Sequence, residues 1–465
     1  MRSDLDFKTY QSPFSWRYGS EEMREIFSEI NKRKTWRKVW VALAHAQSKL
    51  GLVTKEELAD LVKYQDKIDI KKAHEIETEI KHDLMAEIKT YASQAKIGGG
   101  KIHLGATSQD IEDNSDVINF QKAIAIVEKE LKDLIKEFAD KINENKNLVC
   151  MGYTHLQSAE PTTLGYRFCV YAQDLLLDLK LLTFVKMLIK GKGAKGAVGT
   201  SASYFALLGQ KAKSMEDDVM RLLQIDAFDV TGQVYPRKID YFILTALSSI
   251  AQSLYKFAFD VRIMQSSGFG EWMEPFALNQ VGSSAMPFKR NPQTSERICS
   301  ISRFLNSLTG VAWENAANSL LERTLDDSAA RRIIIPQAFL AADEILMHAI
   351  LVIRDLKINK MNIQKNLDLY GPFAGTESVM MEAVKRGSNR QEIHEIIRRI
   401  SQKAWEEINK GNKNPLVDLL KSDKIIGKFV KRNEIDSLTD PKAHIGLAPM
   451  RCQLFLKELK KEKVI

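Results

Sequence analysis

The feature that most constrains the fold is the segment 166–190, which is apolar on almost every side when it is drawn as a helix. A helix that is apolar all round must be surrounded by other elements. Segments 115–146, 237–265 and 294–320 are also long and helical, with few breaks. The four segments predict an extended helical bundle, part of which packs between subunits because one four-helix core needs less apolar surface.

The chain divides into three predicted helical domains. Residues 1–110 carry shorter amphipathic segments, residues 111–360 form the central long-helix bundle, and residues 361–465 form a smaller C-terminal domain. Only 24 Gly and 11 Pro occur in 465 residues, fewer than the roughly 12% of average usage. A chain with so few turn-forming residues should contain few hairpins, so the predicted class is all-α.

The balance of charge leaves two interpretations open. Lys and Arg number 68 against 60 Asp and Glu, which gives a net charge of +8. This excess suits an anionic small molecule, but a lysine-rich solvated surface gives the same total. The basic residues are spread along the chain and form no stripe with interleaved aromatics, so nucleic acid is not an expected partner.

Cysteine usage and hydropathy indicate a cellular compartment. Four Cys without a C-x-x-C pair indicate a reducing environment and argue against a disulfide scaffold or a Cys-rich zinc site. The N-terminus, MRSDLDFKTYQSP, has no apolar core of a secretory signal. No charge-free apolar run reaches 18 residues, so no membrane span is expected. The cytoplasm is the default location.

One motif match misleads. Gly191-x-Gly193-x-x-Gly196 fits the dinucleotide pattern, but that pattern requires a preceding strand, and here a long apolar helix precedes it. A substrate loop or a plain turn is the better interpretation. The eight His show no metal-ligand spacing, so neither a metal nor another cofactor is expected.

The segment 282–292, GSSAMPFKRNP, is the strongest candidate for chemistry. It combines small residues, hydroxyls, Lys289 and Asn291 between two prolines. Backbone amides with a Lys and an Asn could bind a carboxylate-derived anion, and a serine there could accept a proton in a positive field. A structural turn remains the alternative.

This segment resembles the signature of the fumarase/aspartase superfamily, and its form is similar to that of the adenylosuccinate lyase family in particular. Further blocks in the same order extend the resemblance over nearly the whole chain. They are Arg17-Tyr18, Lys81-His82-Asp83, His103 to Ser108, Thr154-His155, Thr231-Gly232-Gln233 and Glu322 to Ser328.

The resemblance implies elimination of fumarate from adenylosuccinate or succinyl-aminoimidazole carboxamide ribotide, each with a phosphate and two carboxylates. Ser283 would be the general base, with Lys289 and Asn291 stabilising the aci-carboxylate. His155 would be the general acid, and Glu296 would orient it and tune its charge. Without the resemblance, the favoured interpretation of Ser283 is a turn or cap serine and that of His155 is a packing histidine. The alternative for Glu296 is an ordinary helix-start glutamate.

The resemblance also implies a substrate-binding set and a homotetramer that shares sites between subunits. Thr107 and Ser108 would bind the succinyl carboxylate, and Gln233 would contact the substrate near the scissile bond. The other binding residues would be Arg17, Tyr18, Lys81, His82, Asp83, Thr154, Arg297, Arg323, Ser328 and Arg332. Of the adjacent Arg331 and Arg332, only one can face the site, and the family pattern favours Arg332.

The sequence departs from the family at two positions. Phe288 stands where the family usually has His or Tyr, and Lys81 stands where it often has Arg. Rival interpretations are another fumarate-releasing lyase, such as argininosuccinate lyase, and a non-enzymatic helical scaffold.

Overall fold

The computed structural model describes residues 8–465. The first seven residues, which begin the segment predicted to carry no secretory signal, lie outside the described part. About 68% of the chain is helical and 4% is strand, so the protein is mostly helical rather than purely so. The helices are α1 Glu21–Ile26, α2 Glu29–Lys49, α3 Lys55–Tyr64, α4 Ile70–Ile80, α5 Asp83–Gln94, α6 Ser108–Asn145, α7 Leu164–Leu188, α8 Ala202–Leu208, α9 Lys211–Leu223, α10 Lys238–Gln265, α11 Gln293–Ala317, α12 Asp326–Arg354, α13 Lys360–Tyr370, α14 Gly375–Lys385, α15 Arg390–Asn409, α16 Leu416–Ser422, α17 Ile426–Phe429, α18 Arg432–Leu438 and α19 Ala448–Lys461.

Two small antiparallel sheets interrupt the helices. Strands β1 Val149–Thr154 and β2 Gln157–Thr163 form a hairpin, and β3 Trp272–Met273 pairs with β4 Lys357–Ile358. The hairpin corrects the expectation of an all-α chain. Its turn lacks the Asn-Gly or Asp-Gly pair that usually signals a hairpin.

Side-chain caps start several helices of the N-terminal region. Ser20 and Ser28 accept hydrogen bonds from backbone amides at the starts of α1 and α2. Thr54 and Glu57 form a reciprocal capping box at the start of α3. The N-terminal region therefore contains helices with well-defined starts, of 6, 21 and 10 residues for α1, α2 and α3.

Of the five longest helices, four match the predicted long segments, and the fifth, α12, was missed. This helix contains Pro336, which removes one backbone donor and obscures a helical pattern in the sequence. Helices α10 and α12 are long and apolar enough to cross a membrane, but 56% and 67% of their most apolar windows are buried inside the protein. Core helices meet the same criterion, so this observation is weak evidence for a span.

Chain contacts group the residues into two compact units. Among the described residues, the first contains those up to 130, together with 178–252 and 300–347, and the second contains 131–177, 253–299 and 348–465. The division into domains 1–110, 111–360 and 361–465 stays a prediction.

Each unit has its own core. In the first, Phe339 stacks with Phe27 and Phe120, at ring distances of 5.5 and 6.2 Å. In the second, Phe138 packs edge-on against Phe257 at 5.0 Å. Aromatic pairs of this kind add about 0.5–1.5 kcal/mol beyond the burial of their area.

Candidate active site

His155 lies at the tip of the β1–β2 hairpin in the second unit. His155 and Leu156 form the two-residue turn with φ of 53° and 59°, a left-handed conformation that costs non-glycine residues energy. Thr154, His155 and Leu156 are exposed. Two residues before His155 on β1, the Tyr153 hydroxyl donates to Glu271 Oε1 over 3.0 Å. A hydrogen-bonded tyrosine thus lies close to a histidine at an exposed, strained tip.

The signature loop runs from β3 to α11 in the same unit, and Glu274 closes its base. Glu274 is 1% exposed, and its carboxylate accepts from the amides of Thr294 and Ser295 at 3.0 and 2.9 Å. The Ser295 hydroxyl also donates to it over 2.8 Å. A carboxylate at a helix N-terminus satisfies free amides and the helix dipole. The two ends of the loop are thus held together.

Contacts inside the loop involve two of the predicted catalytic residues. Asn291 Nδ2 donates to the carbonyl of Gly282 over 2.9 Å. The hydroxyl oxygen of Ser283 accepts from the amide of Met286 over 3.1 Å, so Ser283 also serves as a turn serine. Lys289 is exposed. These hydrogen bonds hold the loop in a defined conformation, and they direct the side-chain amide of Asn291 toward the Gly282 carbonyl.

Glu296 and Arg297 lie in the first turn of α11. Glu296 is exposed, where its charge favours the helix start. Arg297 is half-buried, and its guanidinium lies 2.9 Å from Nε2 of His348. Because a guanidinium only donates, His348 Nε2 is the acceptor in this contact.

A cavity of about 220 Å³ in the first unit collects three of the predicted binding residues, Arg323, Ser328 and Arg332. Its other charged lining residues are Glu29, Lys32, Glu112, Asp116 and Arg331. One wall is apolar and includes Phe27, Trp36 and Phe120. Arginine side chains in a partly apolar cavity suit bidentate binding of an oxyanion.

Arg323 is held in place by a chain of ion pairs. Its guanidinium donates to Asp327 Oδ1 over 2.8 Å, while buried Arg237 donates to Asp327 Oδ2 over 2.6 Å. Arg237 also pairs with Asp113 at 3.0 Å. Burial alone would raise the pKa of Asp327, but Arg237 and Arg323 hold that pKa below its ordinary value. The direction of the Arg323 side chain is therefore well determined.

The adjacent arginines of α12 have different environments. Arg331 donates to Asp240 over 2.7 Å and to Asp116 over 2.9 Å, and its side chain is only 10% exposed. Arg332 is 54% exposed and pairs with Asp83 at 2.7 Å. Burial would raise the pKa of Asp83, but Arg332 keeps it lowered. Arg332 is thus the more accessible arginine, and it meets another predicted binding residue.

The neighbouring Lys81 and His82 occupy the sharp turn between α4 and α5. Lys81 ends α4 with φ of 58°, and His82 caps α5 by accepting from the amide of Met85 over 3.4 Å. Both side chains are exposed. This turn places Asp83 at the start of α5, facing Arg332.

Arg17 and Tyr18 follow a short 3₁₀ helix, Pro13–Ser15, in the first unit. The next residue, Gly19, has φ of 80° and donates its amide to Glu344 over 2.9 Å. Gly19 also packs against Leu340, so the segment is fixed on α12. Arg17 itself is exposed.

Thr107 and Ser108 lie at the start of α6, and both are half-buried. The amide of Thr107 donates to Asp110 Oδ2 over 3.0 Å. Gln233 lies elsewhere in the first unit, where its Nε2 donates to the carbonyl of Ala197 over 2.9 Å. His103 accepts from the Trp40 indole over 3.1 Å, and burial lowers its pKa to about 4, so it is a packing histidine.

Several acidic residues that accept hydrogen bonds from the predicted site segments were not predicted from the sequence. Asp110 has a recognisable signal, because Thr-x-x-Asp at a helix start resembles a capping box. Glu274 and Asp327 have none, since their roles depend on partners brought near by folding. Within residues 8–465, no group of three His, Cys, Asp or Glu is arranged to hold a metal ion.

Two family profiles match the chain. The profile described as "Lyase" matches residues 17–304, and "Adenylosuccinate lyase C-terminus" matches residues 372–454. The fold is similar to that of solved structures at low sequence identity. A fumarate lyase from Mesorhizobium sp. BNC1 has a TM-score of 0.84 at 22% identity, covering 97% of this chain and 99% of that one. A 3-carboxy-cis,cis-muconate lactonizing enzyme from Pseudomonas putida has a TM-score of 0.87 at 22% identity, with the same coverage.

The fold and the matched segments define a lyase of the fumarase/aspartase superfamily. The chain is 38% identical to the adenylosuccinate lyase of Saccharomyces cerevisiae, covering 97% of this chain and 95% of that protein. It is 37% identical to the adenylosuccinate lyase of Methanocaldococcus jannaschii, covering 97% and 96%. The chain belongs to the adenylosuccinate lyase family.

Proposed function

We propose that the chain eliminates fumarate from adenylosuccinate, giving AMP, and from succinyl-aminoimidazole carboxamide ribotide, in purine biosynthesis. The observation that best supports this substrate class is the cavity lined by Arg323, Ser328 and Arg332. A phosphate dianion suits two arginines and a hydroxyl. Argininosuccinate, the rival substrate, carries no phosphate, so it would not use the remaining hydrogen-bond donors of Arg323 and Arg332 beyond their ion pairs with Asp327 and Asp83.

The elimination needs a base, a stabiliser of the aci-carboxylate and an acid for the leaving nitrogen. Ser283 removes the proton from the carbon next to the carboxylate, and Lys289 and Asn291 stabilise the charge that develops. His155 protonates the leaving nitrogen, with Glu296 tuning its charge and Thr154 beside it. Asn291 must release Gly282 to do this, so the signature loop rearranges when substrate binds.

Substrate binding is divided by chemical group. Thr107 and Ser108 hold the succinyl carboxylate, and Gln233 contacts the substrate near the scissile bond. Basic and polar residues bind the nucleotide and its phosphate. They are Arg17, Tyr18, Lys81, His82, Asp83, Arg297, Arg323, Ser328 and Arg332.

The active species is a homotetramer. On α7, Val170, Leu177, Phe184 and Met187 are 45–66% exposed, although helix α7 is apolar overall. Their spacing of seven, seven and three residues puts them on one face of the helix. A second copy of the chain would bury that face. Sedimentation should give a tetramer, and an active monomer at micromolar concentration would contradict this proposal.

Each site draws on more than one subunit, and the enzyme works in the cytoplasm. The proposed residues lie on segments as distant as 17–18, 81–83, 155 and 283–332. The family resemblance supports a shared arrangement of these segments. The substrate of the tetramer is a small molecule and not nucleic acid.

The test is to add purified protein to adenylosuccinate and follow the purine absorbance, because forming AMP alters the chromophore. We expect equimolar AMP and fumarate. Turnover of argininosuccinate but not adenylosuccinate would favour the rival lyase. No turnover of either would favour a scaffold.

A further inference from the structure

The glycine-rich loop 191–203, which follows α7 and includes the first two residues of α8, is folded around buried lysines. Lys192 is completely buried, and its ammonium donates to Asp110 Oδ1 over 2.5 Å and to the Gly196 carbonyl over 2.8 Å. Lys195 forms a close ion pair with Glu216. Burial lowers the pKa of Lys192, and Asp110 opposes that effect. A buried ammonium fixes the loop because moving it would leave a charge without a partner.

Asp110 connects this loop to the turn that carries Thr107 and Ser108. Asp110 is only 2% exposed. Oδ1 accepts from the amides of Lys195 and Gly196, both at 3.1 Å. Oδ2 accepts from the amide of Thr107 at 3.0 Å. One carboxylate therefore binds backbone groups on both segments.

Two further contacts extend the connection. The Ser203 hydroxyl donates to the Gly105 carbonyl over 2.7 Å, close to Thr107. On the other side of the loop, the Ala197 carbonyl accepts from the side chain of Gln233 over 2.9 Å. The loop thus touches the surroundings of both Thr107 and Gln233.

We propose that loop 191–203 positions the succinyl-binding side of the active site, with Lys192 acting through Asp110 as a positioning residue for Thr107 and Ser108. This inference rests on the proposed function, in which Thr107 and Ser108 hold the succinyl carboxylate. Loss of the Lys192 ammonium removes one charged partner from Asp110. The carboxylate then shifts to regain hydrogen bonds, and the Thr107 amide moves with it.

The effect should be confined to one half of the substrate. Arg323 is oriented by Asp327, and Arg332 pairs with Asp83. Loop 191–203 supplies neither of those carboxylates. A positioning role therefore predicts weaker binding of fumarate with little change for AMP.

The experiment uses the reverse reaction, which joins fumarate to AMP. For Lys192→Met, the KM for fumarate at saturating AMP should rise about tenfold, as for loss of one charge-assisted hydrogen bond. The Kd of AMP, from calorimetry, should stay within about twofold of the wild type. Lys49→Met is the matched control, because Lys49 is exposed and pairs only at the surface with Asp218 at 3.0 Å. It should change neither constant.

Ser203→Ala is a milder second variant, since Ser203 is exposed and its loss removes one neutral hydrogen bond. It should raise the KM for fumarate about threefold, and it decides the question if Lys192→Met fails to fold. Equal losses for fumarate and AMP, or unchanged fumarate kinetics in both variants, would overturn the inference.

Thr107→Ala distinguishes an error in the proposed function from an error in the positioning role of loop 191–203. If it leaves the KM for fumarate unchanged, the assignment of Thr107 in the proposed function is wrong. If it raises that KM while Lys192→Met and Ser203→Ala do not, only the positioning role of the loop is wrong.

Discussion

Glu112 makes the stability of the protein depend on pH in a predictable direction. This residue lies on α6 and lines the cavity of the first unit, where Gln109 donates to its carboxylate over 2.5 Å. Burial raises the pKa of Glu112 to about 7. The negative charges of Asp83 and Asp116 also raise this pKa, while the positive charge of Arg332 lowers it. The ordinary value is 4.5.

The sign follows from the protons bound in each state. Below pH 4.5 the carboxyl is protonated in both the folded and the unfolded chain. As the pH rises toward 7, the folded state keeps the proton while the unfolded state loses it, so the free energy of unfolding falls. The full loss is about 3 kcal/mol, of which about 2 kcal/mol falls between roughly pH 5.5 and 8.

The assay is urea unfolding of wild type and Glu112→Gln at pH 5.5 and 8. A neutral glutamine removes the penalty, so the variant should gain about 2 kcal/mol relative to wild type on going from the lower to the higher pH. Glu56→Gln, an exposed change on α3, is the control and should gain nothing. A pH-independent difference between Glu112→Gln and wild type would refute the reasoning.

Three other experiments test the site. Arg332→Ala should raise KM more than it lowers kcat, because a phosphate ligand acts in both ground and transition states; a pure kcat loss in steady-state kinetics would contradict its role. Mixing inactive Ser283→Ala and His155→Ala proteins should restore partial activity if sites are shared, and no recovery after confirmed subunit exchange would count against sharing. Glu274→Ala should lower the free energy of unfolding by about 1–2 kcal/mol in urea titrations, because α11 loses its N-terminal acceptor; unchanged stability would show that other groups replace it.

The long helices could be predicted because apolar residues recur at helical spacing, as in α6, or because a long segment is apolar on almost every side, as in α7. The β1–β2 hairpin could not, because His155 and Leu156 adopt left-handed conformations that their sequence does not signal. The cost of that turn is met by the paired strands and by Tyr153. The sequence pattern therefore identifies the elements whose own residues are apolar at helical spacing or over a long continuous run.

The candidate site could also be predicted only in part from the sequence. The predicted residues came from short blocks of sequence that resemble a family. Their partners did not, because Asp327 meets Arg237 across 90 residues and Asp110 meets Lys192 across 82. A buried carboxylate finds its partner only when the helices pack, and no local pattern encodes that distance.

The most direct test of the proposed chemistry is deuterium incorporation into adenylosuccinate recovered from D₂O. His155→Ala should lose turnover yet still exchange the carbon-bound proton, because deprotonation precedes protonation of the nitrogen. Ser283→Ala should bind substrate, lose about 10²-fold or more in kcat, and show no exchange. Exchange by Ser283→Ala at the wild-type rate would show that another residue is the base and would contradict the central assignment.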